Sequence, residues 1–285
     1  MTKRRATEDS NALRRARAGI IAGMFRLTRE VRFAINRAPD DQLQDKPANS
    51  YAGYPSLTGI GTYLTLQITL AGELDPASSY LRNIKEIDDV VRRRVIPSVS
   101  RMQTPGLDLP ARLMESLQHA WPGAVLEQVR LALSPFLSVS CRASEHPMVR
   151  LSQMFEFSAS HRLHNPSLSD EQNRATYGKC NNAAGHGHNY EVEVTLIGTP
   201  DERGVIVDIP AFERTVAERV IERFDHKNLN TEVGEFRESG LIPSVENIAR
   251  VIHDILKPAL VSERSKLASV TVWETPKTWC EYSEA

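Results

Sequence analysis

The chain has 285 residues, 41% of them hydrophobic, with charged residues at 25% and a formal net charge of −1. That length can bury a substantial core and suits one large domain or two of about 140 residues each. The balanced charge points to neither a nucleic-acid nor a membrane-surface partner, and no apolar run is long enough to span a bilayer, so the expectation is a soluble, cytoplasmic protein.

The chain starts basic, at Lys3, Arg4, Arg5, Arg14, Arg15 and Arg17, in a stretch read as solvated. Gly19 to Phe25 is too short for a span and too weakly apolar for a secretory signal. The three cysteines, Cys141, Cys180 and Cys280, lie far apart, which argues against a disulfide framework and leaves room for a reactive thiol.

Next comes an internal repeat. Gly59 to Gly72 aligns without gaps on Gly185 to Gly198, and further matches keep the order: Met24-Phe25 with Met154-Phe155, Asp75 with Asp201, Ile84–Ile87 with Ile209–Phe212, and Val129–Leu131 with Val270–Val272. The chain therefore reads as two tandem copies, residues 19–141 and 153–285, with a linker over 142–152. In the first copy, helices are expected near Ile84 to Ile96 and Leu109 to Trp121.

In the second copy, Phe155–His161 and Gly187–Leu196 alternate apolar and polar as half-buried strands do, and Val205–Ile209 is expected to extend that hairpin. Phe212, Val216, Val220, Ile221 and Phe224 recur at helical spacing. A second helix is expected from Val245 to about Leu256, with Ser244 as N-cap and Pro258 beyond its end, and Val270–Thr275 closes as a strand.

Strand parity puts His186 and His188 on the face of Tyr190, Val192 and Val194, and His161 on the face of Phe157 and Ala159. Three inward histidines at strand ends carry lone pairs that a divalent ion satisfies, and three protein ligands with a fourth open position describe catalytic Zn²⁺. The plainer reading of His186 and His188 alone is a polar loop. In the first copy the equivalent positions are Val31, Ile60 and Thr62, so the three ligands are missing together.

Cys180 precedes His186 in a polar stretch. It is either an inert thiol or, beside a cation and Lys179, a base with a depressed pKa. Asp225-His226 is either a helix C-cap or a proton relay. Glu274 shares parity with Val270 and Val272, so its carboxylate faces the apolar side, as an internal salt bridge or as an acceptor for a guanidine-like ring edge. Its counterpart in the first copy is Leu133. His164 and His253 are assigned surface or structural roles.

In order, Phe-Ser-Ala-Ser-His161, Gly-Lys-Cys180-Asn-Asn, Gly-His186-Gly-His188-Asn-Tyr, Asp225-His226-Lys-Asn-Leu-Asn and Glu274-Thr resemble the 6-pyruvoyltetrahydropterin synthases over roughly Met154 to Tyr282. The resemblance implies an α+β architecture of tunnelling folds (T-folds), each an antiparallel four-stranded sheet with two helices on one face, joined by subunits through sheet edges into a homo-oligomeric ring. It implies His161, His186 and His188 as zinc ligands, Cys180 as catalytic base, Asp225 and His226 as relay partners, and Glu274 as pterin anchor, with Ser244 a looser match to a hydroxyl near the pterin. The implied reaction is a lyase step that converts 7,8-dihydroneopterin triphosphate to 6-pyruvoyltetrahydropterin in tetrahydrobiopterin biosynthesis. The related 6-carboxytetrahydropterin synthases of queuosine biosynthesis use the same substrate and release acetaldehyde. Their cysteine usually stands closer to the paired histidines, whereas five residues separate Cys180 from His186 here, which favours the pyruvoyl product. A non-catalytic pterin-binding module is a third reading. The first copy, without these residues, is expected to be a degenerate T-fold with a structural place.

Overall fold

The computed structural model describes residues 24–36, 51–102 and 106–284. The basic cluster Lys3 to Arg17 and most of Gly19 to Phe25 lie outside the described residues. The chain divides into two compact units, one reaching to Leu151 and taking in Thr199–Val205, the other formed by Ser152–Gly198 and the chain from Ile206 onward.

In the first unit, β1 (Phe25–Ile35), β2 (Thr62–Gly72), β3 (Val125–Ala132) and β4 (Leu137–Arg142) form an antiparallel sheet in that order. Helix α1 runs through Ile84–Val90, a π turn at Val91–Val95 and Ile96–Ser100, and α2 spans Leu109–Leu117. Helix α1 buries Ile87, Val91, Val95 and Val99 at a strict four-residue spacing. An ideal α-helix would rotate such a row by roughly 40° per step, and the under-wound π turn keeps it facing the sheet.

The second unit contains β5 (Val149–His161) from Ser152 onward, α3 (Asp170–Tyr177), β6 (His186–Gly198), α4 (Ile209–Val216, a π turn Ala217–Ile221, then Glu222–Phe224), β7 (Lys227–Asn228), α5 (Val245–Leu256), β8 (Ser265–Thr275) and β9 (Thr278–Tyr282). The strand order is β5-β6-β8-β9, and β7 pairs in parallel with β5 at Ala159 and Ser160. Helix α4 buries Phe212, Val216, Val220 and Phe224, again every fourth residue. Helix α5 lies on β8 and β9 with Ile248, Ile252 and Leu256 inward. Each large apolar side chain so buried stabilises the unit by about 1.5–3 kcal/mol.

The registers agree in detail. Ile68 faces Val129 in the first unit and Val194 faces Val270 in the second; Leu131 faces Val139 and Val272 faces Cys280. Both central strands also shift register at aligned positions, between Thr69 and Leu70 and between Thr195 and Leu196. The fold is α+β, with antiparallel sheets and helices, as the sequence implies.

Two local expectations need correction. Val205–Ile209 is not a strand: the Asp201 carboxylate accepts from the Arg203 and Val205 N–H groups to close a turn, and Pro210 stands in the first turn of α4. The fourth strand of the unit is β9 instead. Strand β5 begins at Val149, inside the expected linker, and Glu145 there pairs with Arg150 through both of its oxygens.

Candidate metal centre and active site

Strand alternation carries His186 and His188 to the face of the buried Tyr190. His161, at the end of β5, has no solvent exposure at all. Gly185 has φ +73°, and a Cβ there would stand 3.0 Å from the carbonyl oxygen of His161, so only glycine lets β6 start this close to the end of β5. The three imidazoles converge, with ring centroids 4.5, 5.1 and 4.8 Å apart and one potential ligand atom on each within 4.8 Å of the others.

A hydrogen bond fixes which nitrogen of His161 is bare. His161 Nδ1 lies 2.7 Å from the Pro243 carbonyl, which can only accept, so Nδ1 carries the proton and Nε2 holds a lone pair. That lone pair faces His186 Nε2 at 3.1 Å and Glu274 Oε1 at 3.3 Å. His188 Nε2 is buried without a hydrogen-bond partner and lies 3.6 Å from the same Glu274 oxygen. Burial lowers the His161 pKa to about 4, so the ring is neutral near pH 7 and its contact with Glu274 is not an ion pair. Burial lowers His188 as well. His161 Nε2, the unpartnered His188 Nε2 and His186 converge beside one carboxylate, a donor set that fits a metal ion.

Cys180 lies in a 3₁₀ turn, Gly178–Asn181, after α3, which Ser169 and Gln172 open as a reciprocal capping box. Burial, then the Glu274 carboxylate, raise its thiol pKa. The fall expected from Lys179 is absent, because that side chain is exposed and screened by water. Of the protein's neighbouring groups, Glu274 pushes the thiol up, so a depressed pKa there requires a cation.

Asp225 and His226 pair through Oδ2 and Nδ1 at 2.7 Å. The Ser158 N–H donates to Asp225 Oδ1 at 2.8 Å, and the His226 N–H to the Ser158 carbonyl at 2.6 Å. The Ser158 hydrogen bond is the main cause of a lowered Asp225 pKa, followed by His226. His226 has φ +56° and an exposed ring. It lines a cleft of about 520 Å³ together with His188, Ser158, Asn189 and Lys227. Asp225-His226 is thus held to β5 as a unit. Ser244 is the N-cap of α5, accepting from the Asn247 N–H at 3.4 Å, and it is the preceding carbonyl, Pro243, that reaches His161. The Pro243 contact had no signal in the sequence, nor did the Tyr190 hydroxyl 3.3 Å from His161 Nδ1. His253 is buried against Tyr282.

A family model described as 6-pyruvoyl tetrahydropterin synthase matches residues 150–285. A 6-pyruvoyl tetrahydrobiopterin synthase of Drosophila melanogaster is 40% identical over 141 residues, 49% of this chain and 82% of the relative. The chain belongs to the 6-pyruvoyl tetrahydropterin synthase family. The human 6-pyruvoyl tetrahydrobiopterin synthase is 39% identical over 44% of this chain and 85% of its own length. A 6-carboxy-5,6,7,8-tetrahydropterin synthase of Haemophilus influenzae is 27% identical over 48% of this chain and all of its own. The resemblance read from the motifs holds, and the protein is an enzyme of the 6-pyruvoyl tetrahydropterin synthase type. No helix among the described residues is long and apolar enough to cross a membrane.

Proposed function

We propose that this chain is a zinc-dependent lyase that converts 7,8-dihydroneopterin triphosphate to 6-pyruvoyltetrahydropterin with elimination of triphosphate. One observation carries the reading: His161, itself fully buried and with its Nδ1 committed to Pro243, turns a bare Nε2 toward His186 and Glu274. His161, His186 and His188 would hold the metal, and three imidazoles suit zinc. Bound there, zinc supplies Lewis acidity that stabilises enediol-like charge on the substrate side chain.

The chain's own groups have the remaining tasks. Cys180 takes and returns protons at the side-chain carbons. Asp225 accepts the His226 Nδ1 proton, which leaves the outer ring nitrogen free to act as a base. Glu274 accepts from the guanidine-like edge of the pterin, and Ser244 keeps its hydroxyl proton for a looser contact there.

The pyruvoyl product is favoured over the 6-carboxy product by the five residues between Cys180 and His186 and by 39–40% identity to the pyruvoyl-type relatives against 27% to the carboxy-type one. We read residues 19–141 as a degenerate copy of 153–285, supported by the repeated registers and by Val31, Ile60, Thr62 and Leu133 at the site positions. Subunits joining through sheet edges into a ring, and a cytoplasmic location, complete the proposal.

The test is incubation of purified protein with 7,8-dihydroneopterin triphosphate. Triphosphate release with a pyruvoyl pterin is expected. Acetaldehyde would assign the 6-carboxy reaction instead, and no turnover in the metal-loaded protein would reject both.

A further inference from the structure

The candidate site draws on three separated stretches: His161 at the end of β5, Cys180 in the turn after α3, and Asp225-His226 ahead of β7. No residue of the Gly178–Asn181 turn is buried, so apolar packing does not locate Cys180 and polar contacts must. Arg162 touches the first two stretches and the helical turn that follows the third. It follows His161 directly. Its backbone N–H donates to Asn230 Oδ1 at 2.7 Å and its carbonyl accepts from Asn230 Nδ2 at 2.9 Å, which ties it to the helical turn that follows β7. Its Nε donates to the Asn181 carbonyl at 3.1 Å. Asn181 Nδ2 donates in turn to the Leu163 carbonyl at 2.8 Å and to His164 Nδ1 at 3.1 Å, and the Leu163 N–H donates to the Cys180 carbonyl at 2.9 Å.

We propose that Arg162, with Asn181 and Asn230 as its partners, is the positioning residue that fixes the Cys180 turn and the helical turn after β7 relative to the histidine-bearing end of β5. The roles it coordinates rest on the function proposed above, but the coupling is a property of the fold. Asn230 has to accept and donate at once. An aspartate there would keep the Arg162 N–H and turn a lone pair on the Arg162 carbonyl, breaking one link while conserving shape.

The test uses metal-loaded full-length protein as parent, R162A, R162K and N230D, with iodoacetamide as probe and peptide-level readout of Cys180 against Cys280. In R162A, Cys180 alkylation is expected to rise several-fold with Cys280 unchanged, metal content to stay at the parental value, and kcat to fall about 10–100-fold with little change in KM. R162K should recover part of the loss, because its ammonium reaches the Asn181 carbonyl, and N230D should move the same readouts in the same direction by less. If R162A does not fold, N230D decides. Parental Cys180 alkylation in the folded variants would overturn the inference, as would a kcat loss that only parallels loss of metal and thermal stability. Should the parent itself show no turnover, the functional reading fails while the alkylation contrast still decides the coupling.

Discussion

His161 donates its Nδ1 proton to the carbonyl of Pro243 across 2.7 Å, and this bond decides which nitrogen faces the centre of the site. Pro243 immediately precedes the Ser244 N-cap, so the start of α5 and the end of β5 are held together through the histidine. The ring is buried and neutral, which is the form a metal ligand needs.

The same burial predicts a pH dependence in the metal-free protein. The folded pKa of His161, about 4, lies below the ordinary 6.5. Between those values the unfolded chain binds a proton that the folded chain refuses, so stability is complete above about pH 6.5 and falls as pH drops toward 4. Denaturant unfolding should show about 2 kcal/mol less stability from this group at pH 5 than at pH 7.5, a difference that H161N removes.

His226 separates stability from function, because its φ of +56° is a conformation glycine adopts freely and alanine does not. H226G should therefore be more stable than H226A by about 1–2 kcal/mol in urea titrations, while both lose turnover by about 100-fold or more.

Asp225 accepts from the Ser158 N–H and from His226, and an asparagine cannot keep both contacts with one oxygen. D225N should lower kcat about 10–100-fold and leave bound metal at the parental level, as measured by steady-state kinetics beside metal analysis.

Replacing Cys180 by alanine removes the proposed base from a turn without buried residues, so folding should be unaffected. Turnover should drop by about 10²–10⁴-fold, and full turnover in C180A would remove the assignment.

The sequence made the histidine trio legible because strand parity is a strict two-residue rule, and the same rule turned Glu274 to the apolar side of its strand without showing how near the histidines it lies. The sequence repeat has a parallel in the registers and buried rows that the two units share. Val205–Ile209 misled because its alternation imitates a strand, while the Asp201 turn and Pro210 decide otherwise. Strand β9 was missed: it has five residues, and Trp279 is exposed, so its periodicity is weak. The hydrogen bonds of Pro243, Arg162, Asn181 and Asn230 join residues distant in the chain, and contacts of that kind leave no spacing to read.

Metal content of the purified protein and of H186A is the most direct test of the centre. The account predicts about one zinc per chain in the parent and almost none in a folded H186A. Equal stoichiometry in the two proteins would contradict it.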